Sequence, residues 1–256
     1  INKKFSNMQK ILIALSTFNR KNITKLCLEN LKQIVDKDKK SKLVIYDDAS
    51  TNYGDEFLKQ YSDNVLRFRV SGGVERSRAR AFRDFIYIYK DFDLFYMTDN
   101  DTIHDPDFLD ILRKLYESSS KKFDKKLPIG LYNSKFHNNP KNVIYENNIL
   151  SVRKTCPGVS QCFDREMINK MLVFINENPV YETLYGFDYH WPASLNVPFL
   201  QTQTSYLEHF ARDKKEKGLH STHTINDPRA DFERDRAIHP TSYLKTIREK
   251  IIKKIL

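Results

Sequence analysis

A chain of 256 residues, 12% of them aromatic, can bury a large apolar core as one domain or two fused lobes, and this composition argues against intrinsic disorder for most of it. Its 43 Lys and Arg exceed 33 Asp and Glu to give net +10, which favours an anionic partner: nucleic acid, an acidic membrane surface or a phosphorylated small molecule. No uncharged apolar run nears the ~18 residues of a membrane span, "INKKFSNMQK" is no signal peptide, and three scattered cysteines, Cys27, Cys156 and Cys162, do not make a disulfide framework. The expectation is a cytoplasmic protein, soluble or peripheral on a membrane surface.

Residues 10–15, "KILIAL", read as a strand buried on both faces. A helix should follow, with Ile23, Leu26, Leu31, Ile34 and Val35 at helical spacing and Asn22 as its N-cap. "KLVIY", residues 42–46, is a second buried strand. A helix over 53–61, a strand over 65–70 and a helix over 74–89 come next, the last with Ala81, Phe85, Ile86 and Tyr89 on one face. The fourth strand covers 94–98, and a helix begins near Asp105-Pro106. Beyond it the pattern loosens. Residues 118–126 and 137–142 read as loops, "IGLYNS" and "NVIYENNILSV" as strands of a smaller mixed region, and 164–175 and 181–191 as helices.

Strands alternating with helices imply right-handed crossovers and a mostly parallel central sheet with helices on both faces. Ligands bind such sheets beyond the carboxyl ends of the strands. Polar clusters at 16–20, 47–50, 72–73 and 99–101 each follow a proposed strand, so all should lie on one sheet edge.

Asp99 and Asp101 in "DLFYMTDNDTIHDP" sit one residue apart, and in an extended segment both carboxylates reach the same way, toward a hard cation. The competing reading is a turn whose side chains satisfy backbone donors. A calcium loop does not fit, because Ile103 and His104 stand where a ligand and a glycine are needed. Asp47 and Asp48 can accept from a nucleobase and ribose, or simply close a turn. Arg76, Arg78 and Arg80 follow Gly72-Gly73 at a helix start that favours anions, though residues two apart do not share a helix face.

"LSTFNR", "VIYDDAST", "GGVERSRARA" and "FYMTDND", in that order, resemble the nucleotide-sugar-binding half of GT-A glycosyltransferases, in particular family 2. The resemblance implies an α/β fold of the GT-A, Rossmann-like type, with a smaller mixed acceptor-binding region and a C-terminal helix. It makes residues 1–256 a single domain: about 10–105 for the nucleotide sugar, about 106–225 for acceptor and catalysis, and about 226–256 a C-terminal extension. It assigns Ser16, Thr17, Phe18, Asn19, Arg20, Asp47, Asp48, Gly73, Arg78, Asp99 and Asn100 to the nucleotide sugar. Asp99 and Asp101 would hold Mn²⁺ or Mg²⁺. "SYLEHF" is similar to the family's Ser-x-x-x-His segment and makes His209 a third metal ligand, with His220 and His223 as substitutes. "YGFDYHW" gives Asp188 the role of catalytic base, with Glu182 the nearest alternative. Ala79 and Phe187 depart from the family pattern.

The implied activity is inverting transfer from a nucleoside diphosphate sugar, UDP by default, to a hydroxyl of a glycan, glycolipid, lipid-linked glycan or glycoprotein. Competing classes are a binding module of the same fold without turnover, and a nucleotidyltransferase, whose Gly-rich loop after the first strand is absent from "ALSTFNR". Nucleic acid is not an expected partner, since the basic residues form no reader motif. Tyr189 and Trp191 would stack on an acceptor sugar or pack in the core. The tail "SYLKTIREKIIKKIL" sets Leu244, Ile247, Ile251, Ile252 and Ile255 against Lys and Arg, as in a helix lying on an anionic bilayer; packing on the domain or a homo-oligomer contact are the alternatives.

Overall fold

The computed structural model describes residues 9–122, 126–134, 140–182, 187–210 and 236–255. The "KILIAL" run becomes β1 (Ile11–Thr17), whose seven residues are all buried. Alternation along β1 feeds two cores: Ile11, Ile13 and Leu15 face one apolar cluster, Leu12 and Ala14 the other. The first cluster takes its helical side chains from α1 (Lys21–Val35), α2 (Asp55–Lys59) and α4 (Phe108–Lys122). The second takes them from α3 (Gly73–Tyr87), α5 (Arg165–Glu177) and α6 (Phe187–Ala193). Helices therefore cover both faces, and each fully buried Ile or Leu of β1 contributes roughly 1.5–3 kcal/mol.

Flanking β1 are β2 (Ser41–Asp47) and β4 (Leu94–Asp99), both parallel to it, and β3 (Val65–Arg67) lies parallel to β2. The loose second half joins the same sheet. Its strands are β6 (Ile129–Gly130), β7 (Val143–Glu146), β8 (Leu150–Arg153), β9 (Ser160–Asp164) and β10 (Phe199–Thr202). The order is β3-β2-β1-β4-β9-β6-β10-β8-β7, with β9 antiparallel to β4. A separate antiparallel pair joins β5 (Thr102–His104) to β11 (Leu207–His209). Neither β5 nor β11 was expected, because three residues are too few to show a period.

Several local expectations are corrected. The cap of α1 is Arg20, in the left-handed region at φ 61, and not Asn22. The third strand ends at Arg67, and α4 begins at Phe108, two residues after Pro106. Residues 181–191 are not one helix: a 3-10 turn, Pro179–Glu182, precedes α6. At the start of α5 Asp164 acts as cap, accepting from the Met167 amide at 2.9 Å. Arg165 then reaches back to the end of α3, its guanidinium donating to the carbonyls of Phe85, Ile86, Tyr89 and Phe92 over the Phe85 ring. All three cysteines are buried thiols, and burial pushes Cys27 up to about 12.

The tail forms α7 (Ser242–Ile255), and the described part of its apolar face is turned inward. Leu244 is fully buried with Ile23, Ile103 and Phe210, and Ile247 packs against them. That packing removes these two residues from any membrane-facing stripe. The side chains of Ile251, Ile252 and Ile255 lie outside the described residues. Among the described residues no helix is long and apolar enough to cross a membrane.

His104 is enclosed under this layer, its Nε2 3.1 Å from the Tyr96 hydroxyl and 3.3 Å from Thr98 Oγ1, while its backbone exchanges two hydrogen bonds with the Asn30 amide. Burial pushes the imidazole down from 6.5 to about 3. The unfolded chain therefore binds a proton that the folded one refuses, so this contribution is intact above pH 6.5 and is lost as pH falls toward 3. One such proton gives a slope of up to about 1.4 kcal/mol per pH unit. In urea unfolding between pH 6.5 and 5, stability should fall less steeply for His104→Gln than for the native chain; equal slopes would show that His104 is not the group responsible.

Candidate functional site

Because β1, β2, β3 and β4 run parallel, the segments that follow them emerge on one edge, as the order of polar clusters implies. The structure shows them stitched together. The Asn19 amide donates to Ser50 Oγ at 2.7 Å, and Asn19 Oδ1 accepts from the Thr51 amide at 2.8 Å. Asn19, Arg20 and Ala49 all take positive φ, which fits tight reversals at the strand ends.

Most of the expected nucleotide-binding residues are used in this stitching. Asp47 is fully buried, accepts from both the amide and hydroxyl of Ser50, and pairs with Arg67 Nε at 3.1 Å. Asp48 accepts from Ser71 Oγ, the Gly72 amide and the Gly73 amide at 2.6, 2.8 and 2.9 Å. Its carboxylate thus fastens the turn into α3, where Gly73 has φ 90, a conformation costly for any side chain. Thr17 bonds the Tyr53 hydroxyl, Ser16 is buried, and Phe18 is half-buried. Asn100 points at α1, donating to Thr24 Oγ1 at 2.7 Å. Asp47 and Asp48 thus accept from backbone amides at these strand ends, and Asn100 ties the end of β4 to α1.

Arg78 is 1% exposed; it donates to the Gly158 carbonyl at 2.9 Å and pairs with Asp99 Oδ1. Arg76 stacks over Phe68, and Arg80 pairs with Asp84. The departure at Ala79 lies in the apolar cluster behind the sheet, away from this edge.

Asp99 and Asp101 do not share an extended segment. Asp99 ends β4, Asn100 and Asp101 form a turn, and β5 starts at Thr102. Asp101 Oδ2 accepts from Arg20 Nη1 at 2.7 Å, and Asp101 Oδ1 lies 3.2 Å from His209 Nε2. Burial raises the Asp99 carboxyl against the pull of Arg78, with the neighbouring Asp101 adding to the rise. Asp101 is shifted the other way: burial pushes it up, but His209 and Arg20 outweigh that and hold it well below the usual carboxylate range. Arg20 also donates to the Phe210 carbonyl at 3.1 Å, and the Phe210 amide donates to the Asp101 carbonyl at 2.8 Å. Arg20, Asp101 and His209 are therefore one unit built from three distant segments.

Asp101 Oδ1 is buried and makes no hydrogen bond. Its 3.2 Å separation from His209 Nε2 is close to the about 3 Å between neighbouring ligands of an octahedral ion with ~2.1 Å bonds. These two atoms fit a divalent cation. Among the described residues no three His, Cys, Asp or Glu side chains form a cluster that could hold a metal ion, and Asp99, the other carboxylate expected at the ion, has its Oδ1 paired with Arg78. His220 and His223 lie outside the described residues, and Asp188 is placed at the start of α6 with its side chain outside them. Glu182 is occupied by Arg83, with contacts of 2.6 and 3.1 Å. Trp191 is core, its Nε1 donating to the Tyr181 carbonyl, whereas Tyr189 is exposed. Tyr132, edge-on to His209 at 6.0 Å between ring centroids, belongs to this neighbourhood and carried no local sequence signal.

Residues 12–124 match the model of glycosyl transferase family 2. Solved structures with the same fold include a mannosyltransferase from Pyrobaculum calidifontis in complex with GDP-Man and Mn²⁺, at TM-score 0.51 and 14% identity, covering 65% of this chain and 47% of that one. S. aureus TarS 1–349 in complex with UDP-GlcNAc superposes at TM-score 0.55 and 13% identity, covering 78% of this chain and 58% of that one. The chain thus spans about half to three-fifths of the length of these structures. No curated protein matches it significantly in sequence. The segment at 12–124 thus resembles glycosyl transferase family 2, and the fold is the one these two glycosyltransferase structures share.

Proposed function

We propose that the chain is a divalent-metal-dependent, inverting glycosyltransferase that moves a hexosyl or N-acetylhexosaminyl group from a nucleoside diphosphate sugar, UDP-linked by default, to a hydroxyl of a glycan, glycolipid or glycoprotein. The observation that carries this reading is the meeting of Asp101 Oδ1 and His209 Nε2 at the carboxyl edge of the parallel strands. The GDP-Man, Mn²⁺ and UDP-GlcNAc bound by the two structures of the same fold support it. An imidazole beside a carboxylate suits Mn²⁺ better than Mg²⁺, which prefers oxygen ligands and retained water.

Asp101 and His209 would hold the cation, and Arg20 would keep the Asp101 carboxylate oriented and ionised. The cation, when bound, supplies Lewis-acid neutralisation of the departing diphosphate. Asp99, tied by Arg78 to the same edge, would meet the cation or the donor's sugar hydroxyls. Asp188 would take the proton of the acceptor hydroxyl as that oxygen attacks the anomeric carbon on the face opposite the leaving group; one bond forms as the other breaks, and no covalent enzyme intermediate is required.

Incubating UDP-, GDP- and dTDP-sugars with the protein and Mn²⁺, and following nucleoside diphosphate release with and without oligosaccharide acceptors, tests this reading. Release with one donor class supports transfer, whereas tight nucleotide binding with no release would make the chain a binding module. Asp101→Asn should weaken Mn²⁺-dependent nucleotide affinity by at least about 100-fold, beyond what losing an outer-shell partner costs; titration calorimetry giving the native affinity would remove Asp101 from the site. Asp188→Asn should keep donor affinity and lower the transfer rate about 10²–10⁴-fold, as loss of a general base does; unchanged steady-state rates would relocate the base.

A further inference from the structure

The basic C-terminal helix is the feature that the proposed chemistry leaves unused. Its contacts lead straight to the two candidate metal ligands. Arg248 of α7 pairs with Glu208 Oε2, and both side chains are buried. The same Arg248 nitrogen donates to the Ala237 carbonyl at 3.1 Å, and the Ala237 amide donates to Glu208 Oε1 at 2.9 Å, so the Glu208 carboxylate is gripped at both oxygens. Glu208 is the residue immediately before His209 on β11.

Strand alternation makes this grip specific. Glu208 pairs with Ile103 and His209 with Thr102, so Glu208 and Ile103 face one side of the small sheet while His209 and Thr102 face the other. Ile103 packs with Leu244 of α7, as does Phe210, whose backbone amide holds the Asp101 carbonyl. At the helix start, Thr241 Oγ1 donates to Asp105 Oδ2 at 2.5 Å. The helix therefore braces one face of β5 and β11 from both ends, and the opposite face carries His209 toward Asp101, the residue just before β5.

We propose that α7 is a strut for the metal site, with Arg248 the positioning residue that sets His209 through Glu208. This rests on the reading of Asp101 and His209 as metal ligands. It gives the basic tail an inward role: one cation of the helix is spent on a buried carboxylate next to the site, and two of its apolar residues form the packing that keeps β11 in register.

The test follows His209 in the metal-free protein by imidazole ¹⁵N–¹H NMR, its signals identified by their loss in His209→Gln, and Mn²⁺ uptake in the presence of UDP by electron paramagnetic resonance. Arg248→Met should shift the His209 signals and lower Mn²⁺ affinity about tenfold, the effect of removing an outer-shell support, and Arg248→Lys should restore most of both. Unchanged His209 signals and Mn²⁺ affinity in folded Arg248→Met would overturn the proposal. Should that variant fail to fold, Glu208→Gln, equal in shape and lacking only the charge, takes its place with the same two readouts and the same overturning result. A native chain that takes up no Mn²⁺ would sink the metal reading, while the NMR arm would still decide whether Arg248 sets His209.

Discussion

One buried carboxylate organises this molecule. Asp101 is 6% exposed, and a charge at that depth is tolerated only when paired. Its partners come from far along the chain, Arg20 at a separation of 81 residues and His209 from the opposite direction. Satisfying that one charge requires the β1–α1 turn, the β4–β5 turn and the end of β11 to meet. The left-handed backbone of Arg20, which starts α1 without a side-chain cap, fits this demand, because it turns the guanidinium toward the sheet edge.

The same edge shows how a polar surface can be made rigid before any ligand arrives. Asp47, Asp48 and Asn19 accept from backbone donors of the loops, and Asn100 donates to Thr24 on α1. The bonds to the Asp47 and Asp48 carboxylates are charge-assisted and lock loop geometry more firmly than neutral ones. At the centre of this edge one oxygen of Asp101 faces one imidazole nitrogen of His209 at 3.2 Å.

The second half of the chain contributes less by periodicity and more by where it lands. Its strands extend the parallel sheet in mixed directions, beginning with β9 against β4, so the loop before β9 brings the Gly158 carbonyl to Arg78 at the working edge. Short strands such as β5 and β11 carry no readable pattern in three residues each, yet they set the distance between Asp101 and His209.

The sequence by itself determined the strand–helix alternation, the doubly buried centre of the sheet and the gathering of four polar clusters on one edge, because hydrophobic periodicity and the parallel crossover rule act locally and leave little choice. It also determined that acids would stand at the ends of β2 and β4. Only the tertiary structure decided what those acids do. Asp48 takes the Gly72 amide 24 residues away, Asp99 takes Arg78 at 21, and Leu244 of α7 packs on Phe210, Ile103 and Ile23 at 34, 141 and 221. Pairing at such distances is set by the packing of the whole chain, and no window of sequence contains it.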